Sequence, residues 1–111
     1  MKDDRLFLTH ILKCIERIQH YTSEGKDSFL SDTKTQDAVV RNLHTLAEST
    51  QRLSDSLKSK YPDIEWRNIA AFRNVIVHDY LGIDLNQMWD IVVGDLPSLH
   101  EKVKVILENL S

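Results

Sequence analysis

Apolar residues recur every three to four positions along most of the chain, which is the period of an α-helix with one buried face. Phe7, Ile11, Cys14 or Ile15, and Ile18 mark a first helix over about residues 4–22. It should stop near Ser23-Glu24-Gly25, where Gly25 can take the left-handed C-cap conformation. Residues 25–33 then read as a polar loop plugged by Phe29 and Leu30. Val39 or Val40, Leu43, Leu46 or Ala47, Thr50, Leu53 and Leu57 predict one long helix over about 34–59. Tyr61-Pro62-Asp63 should end it, because proline disfavours helix in the residue before it.

A third helix should start near Asp63 as N-cap, carry Trp66, Ile69, Ala70, Phe72, Val75 and Ile76, and end around Tyr80 to Gly82. Asp84 is a second candidate N-cap, for a short helix through Leu85, Met88, Trp89 and Val92 that Gly94, Asp95 and Pro97 interrupt or kink. Leu96, Leu99, Val103, Ile106 and Leu110 mark the last helix, about 96–110. Four main helices with short connections predict an all-α, antiparallel four-helix bundle with one additional short helix.

Composition adds limits. The 111 residues, 41% apolar, suit one helical domain over 1–111. The lone Cys14 rules out an internal disulfide and fits a small buried hydrophobe in a reducing compartment. No Cys/His pair has zinc-site spacing, and no metal or cofactor is expected. The opening MKDDRLFLTH does not read as a secretory signal, and no apolar run approaches the roughly 18–20 residues of a membrane span, so a cytoplasmic protein is expected. The net charge of −3 is uneven: residues 1–60 hold ten Lys/Arg against nine Asp/Glu, and 61–111 hold four against eight. A general nucleic-acid binder is usually basic. Any nucleic-acid contact should therefore be local, or concentrated by assembly of two subunits.

Against this background one stretch stands out, Arg73-Asn74-Val75-Ile76-Val77-His78-Asp79-Tyr80. Packing gives no reason for four hydrogen-bonding side chains around a short apolar run. Arginine offers a permanent, fork-shaped cation for phosphate oxygens, and histidine takes and gives a proton near neutrality. On a regular helix Asn74 and His78 share a face, while Arg73 and His78 stand about 140° apart. Both could reach one phosphate if the last turn unwinds, or if a second copy of the helix completes the site. A bland reading stays open, in which His78 and its neighbours complement a helix C-terminus. Arg41 and Glu48, seven apart, share a face of the second helix; they are either solvated charges or the lining of a groove that receives the third. His10, His20, His44 and His100 read as surface or boundary positions. There is no phosphate-binding glycine loop, nucleophile elbow or paired-carboxylate pattern.

The string Arg73-x4-His78-x-Tyr80 resembles the signature of the HEPN superfamily, in its HepT-like toxin branch. The resemblance runs nearly end to end, through Phe29-Leu30-x-Asp32, Gln36-Asp37-Ala38-Val39, Arg41-Asn42-Leu43, Glu48, Tyr61-Pro62-x-Ile64-x-Trp66, Trp89 and Asp95-Leu96-Pro97-x-Leu99. Where the family often has Ile-Gly-Glu-Ala, this chain has Leu46-Ala47-Glu48-Ser49. The resemblance implies a homodimeric helical bundle and a metal-independent endoribonuclease whose site uses both copies of the motif. Arg73, Asn74 and His78 would then be catalytic, with Arg41, Glu48 and Asp79 supporting the groove. It also implies the toxin half of a toxin–antitoxin pair. The partner would be a small nucleotidyltransferase-fold antitoxin (MNT type), which in some members adds AMP to the motif tyrosine, here Tyr80. The rival expectation is a non-catalytic helical module that binds a nucleotide or a protein.

Overall fold

A computed structural model describes the backbone of residues 2–78 and 84–110, with side chains over 3–72 and 84–110. All regular structure among the described residues is helical: α1 (Lys2–Tyr21), α2 (Lys26–Ser31), α3 (Thr33–Gln51), α4 (Asp55–Lys60), α5 (Trp66–His78), α6 (Leu85–Asp90), a π-helical turn (Ile91–Asp95) and α7 (Leu96–Asn109). The chain is all-α, as its periodicity predicts. α3 is central: α1 and α5 both pack on it, and α7 packs on α1.

The α1 seam is Asp4, Leu8, Ile11, Ile15, Ile18 and Thr22, all buried and spaced four, three, four, three, four. Leu8, which the sequence pattern underrates in favour of the half-buried Phe7, has no exposed surface. Val39, Leu43, Leu46 and Thr50 answer from α3, and Leu96, Leu99, Val103 and Ile106 from α7. Each fully buried aliphatic side chain contributes about 1.5–3 kcal/mol relative to exposure. The polar ends of the seams are satisfied: the hydroxyls of Thr22 and Thr50 donate to the carbonyls of Ile18 and Leu46, at 2.8 and 3.0 Å.

Four boundaries differ from the expected ones, each for a visible reason. Residues 26–31 form a short helix, not a loop. Gly25 does not cap α1 in the left-handed helical region; at φ 100°, ψ 179° it adopts an extended conformation that only glycine takes easily, and it launches α2. Phe29 is nonetheless the expected plug, its ring 5.5 Å from that of Trp89. Asp32 begins α3, its carboxylate accepting from Lys34 N–H at 3.1 Å and from the Thr35 hydroxyl at 2.8 Å. The Thr35 hydroxyl foremost, with backbone N–H groups and Lys34, holds this carboxyl below its ordinary pKa.

The expected helix over 34–59 is two helices. α3 ends at Gln51, and Ser54 caps α4 by accepting from Leu57 N–H at 3.2 Å. The buried carboxylate of Asp4 fixes that break, accepting from Ser54 N–H at 2.8 Å and the Ser54 hydroxyl at 2.6 Å. Leu53 and Leu57 keep the apolar period across the gap, so periodicity alone could not reveal it. Asp63 does not cap α5; its backbone carbonyl and carboxylate face Lys102 of α7, at 3.2 and 3.8 Å. Asp84 does cap α6, accepting from the N–H groups of Asn86 and Gln87. The expected kink before α7 is the π-helical turn. Pro97 sits in the first turn of α7, and a proline ring crowds the carbonyl four residues back, which a local widening relieves.

Candidate active site on α5

α5 is helical through His78, so its register fixes which positions share a face, while the side chains of Arg73, Asn74 and His78, and all of Asp79 and Tyr80, lie outside the described residues. Ile69 and Phe72 are buried, and Trp66 is half-buried. Position 73 follows Ile69 by four and Trp66 by seven, and so continues the inward side. Positions 74 and 78 follow the exposed Arg67 by seven and eleven, and so continue the outward side. Arginine and histidine thus stand on different flanks of one unbroken helix.

α3 carries the two supporting residues. Arg41 is exposed, and Glu48 is half-buried with the imidazole of His44 at 3.9 Å, one helical turn away. Arg52 lies 5.8 Å over the Phe7 ring, which places α1 along that edge of α3. Ala47, on the inward-facing arc, is fully buried, and its methyl group lets a neighbouring helix approach closely.

Two open grooves flank α5. One, of about 660 Å³, runs between α5 and the α6–α7 arm. Its floor includes Ile69, Phe72, Ile91 and Leu99, and Asp63, Glu65, Asp90 and Asp95 make it acidic. The other, of about 760 Å³, runs between α4 and the start of α5, with Lys58, Trp66, Arg67 and Ala70 among its walls. Lys58 and Arg67 are not among the residues the sequence pattern singles out. The spacing of Arg67 to Asn74 and His78 was the available signal.

The remaining histidines and the cysteine fall away from this region. His10 and His20 are exposed, and His100 is not simply solvated: its Nε2 lies 3.0 Å from Glu16 and links α7 to α1. Cys14 is buried, and burial raises its thiol pKa, opposed by Arg17, so it stays a protonated core group at neutral pH. Among the described residues no group of three His, Cys, Asp or Glu could hold a metal ion, and no helix is long and apolar enough to cross a membrane.

Comparison with known proteins places the chain in a family. The family model described as "Ribonuclease HepT-like" matches residues 11–106. A Methanocaldococcus jannaschii protein named "Gamma-glutamylcyclotransferase and putative RNase" is 36% identical over 110 residues, 98% of this chain; the chain spans only 50% of that longer protein. A second protein of that organism, named "Putative RNase", is 34% identical over 98% of this chain and 91% of its own length. A Thermococcus cleftensis protein named "Probable ribonuclease HepT" is 37% identical over 86% of this chain and 88% of its own. No solved structure matches. With the family model covering most of the chain and more than a third of residues shared with such relatives, the chain belongs to the HepT-like ribonuclease family.

Proposed function

We propose that this chain is a metal-independent endoribonuclease that acts as a homodimer, with one phosphodiester gripped by the α5 segments of both copies. The observation that carries the proposal is the register of α5. In a family of ribonucleases, a helix that puts Arg73 and His78 about 140° apart is poorly suited to close a site alone, and two such helices related by a two-fold axis can offer a cation and an imidazole from each side.

RNA brings its own nucleophile, the 2′-hydroxyl. The protein must remove that proton, stabilise charge on the phosphate, and protonate the leaving 5′-oxygen. His78 is the general base or acid, and the second copy's histidine takes the complementary role; such catalysis is typically worth about 10²–10⁴-fold. Arg73 holds the phosphate and its developing charge, an electrostatic contribution of roughly 3 kcal/mol. Asn74 orients the phosphate or the imidazole, and Arg41 and Glu48 of α3, with Asp79, support the site. Pairing also doubles the local cations on an otherwise acidic chain.

The chain further acts in the cytoplasm as the toxin of a toxin–antitoxin pair, opposed by a nucleotidyltransferase-fold antitoxin that transfers AMP to Tyr80. AMP there adds a phosphate and a bulky base two residues from His78, competing with RNA for Arg73 by charge and volume. The test is cleavage of total RNA and tRNA in chelator. Wild type cleaves, His78→Ala and Arg73→Ala do not, and both variants remain folded; cleavage by either purified variant at the wild-type rate rejects these roles. For the regulatory step, co-expression with the antitoxin raises the intact mass by one or more AMP units. Tyr80→Phe removes the increase, and an increase that persists in Tyr80→Phe rejects the modification site.

A further inference from the structure

We propose that the groove between α4 and the start of α5 is a single-stranded RNA subsite, with Arg67 and Lys58 taking phosphates and Trp66 facing a base. The proposal rests on the ribonuclease reading above and extends it to the RNA that flanks the cut.

Three observations converge on this groove. The first is register. Arg67, Asn74 and His78 stand at i, i+7 and i+11 on α5 and share one stripe, Asn74 and His78 each within about 20° of Arg67 and about 40° from each other. Arg67 precedes His78 by about 16 Å along the axis, so it reaches a flanking phosphate and not the one being cut. Past Arg67 the groove wall continues with the small side chain of Ala70. The second is charge. Arg67 is exposed, Lys58 is half-buried, and among the described residues neither is in an ion pair, although both line the same groove of about 760 Å³. Two acids, Asp55 and Glu65, also line it, so its cations and carboxylates balance, whereas the opposite groove sets four carboxylates against one lysine. Glu65 accepts a hydrogen bond from the Asn68 side chain, and Asp55 sits in the first turn of α4, where the helix dipole favours an anion. The third is an aromatic wall. Trp66 Nε1 donates to the carbonyls of Lys58 and Tyr61, both at 3.2 Å, which fixes the indole in the groove that Lys58 and Arg67 also line. Cations beside a fixed aromatic ring are the usual means of holding single-stranded nucleic acid without sequence preference. The opposite groove, lined by four carboxylates with Lys102 already engaged by Asp63, is the wrong sign for RNA.

The experiment uses two probes: cleavable single-stranded RNA, and the same sequence as 2′-O-methyl RNA, which lacks the nucleophile and reports binding alone. Arg67→Gln and Lys58→Gln each raise Kd for the 2′-O-methyl probe about threefold, and together about tenfold. Each lowers the slope of log K against log salt by about 0.7, the single-strand value per phosphate contact. On cleavable RNA, KM rises by the same factors while kcat holds, and Arg67→Lys keeps most of the affinity. Wild-type Kd and salt slope in both Gln variants overturn the subsite, even where wild type cleaves normally. Unchanged RNA affinity with altered self-association assigns the patch to a protein contact and also overturns it. Binding that follows the predicted pattern in a wild type that cuts no RNA supports the subsite and removes the catalytic reading. A wild type that binds neither probe removes both.

Discussion

The α1–α3–α7 side and the α5 side of this molecule are built to different standards. Leu8, Ile11, Ile15, Ile18, Val39, Leu46, Leu96 and Val103 have no exposed surface at all. On the other side Ile64, Ile69, Phe72 and Ile91 each keep 5–8% exposure, because they form or border the floor of an open groove. α5 packs chiefly on α3, with a groove along each flank, while α1 is held by both α3 and α7. Stability is thus concentrated in one part of the bundle and the candidate chemistry in another. Binding sites are drawn from less tightly packed elements because a substrate needs surface that the core has not consumed.

Changes on the two sides should therefore separate. The largest effect falls on chemistry: His78→Ala lowers RNA cleavage by about 10²–10⁴-fold and moves the melting temperature little, read by a gel assay and a thermal melt on the same sample. Leu8→Ala does the converse. It costs about 3 kcal/mol in denaturant titration, and the fraction that stays folded cleaves at the wild-type rate. A Leu8→Ala chain that melts as wild type would erase the contrast between the two sides. Asp4→Ala removes two hydrogen bonds to Ser54 and costs about 2 kcal/mol, with hydrogen exchange rising first in α4. Such a rise in α5 instead would show that the break after α3 supports the site directly.

The smallest effect concerns pH. The folded-state pKa of Asp32 is depressed, so its contribution is present above the ordinary carboxylate range, near about 4, and is lost as pH falls through the depressed value. Asp32→Asn should flatten that acid limb of the stability curve and leave neutral stability and cleavage almost unchanged. An unaltered acid limb would remove the cap from the account.

Much of the bundle was legible because its buried seams keep strict three–four spacing, and the caps at Asp84 and the break at Pro62 follow local rules. What escaped was set by contacts remote in sequence. The break at 52–54 depends on Asp4, some fifty residues away, while Leu53 and Leu57 continue the period across it. The engagement of Asp63 by Lys102 replaced an expected cap with a tertiary contact, and His100 found Glu16 in the same way. α2 hid because its glycine start and single buried aromatic resemble a loop at sequence level. At the site, the motif on α5 and the α3 stripe could be read directly, as could the angle between Arg73 and His78. The grooves beside α5 could not, since a groove is the absence of packing between elements whose relative placement the sequence does not state.

The claim on which the rest depends is that two copies build one site. Hybrid dimers of one wild-type and one His78→Ala chain, purified by two different tags and assayed on single-stranded RNA in chelator, test it. A shared site that draws acid and base from opposite copies predicts hybrid activity close to that of the doubly substituted dimer. A hybrid that retains half of wild-type activity would mean that each chain cuts RNA on its own, and would contradict the account.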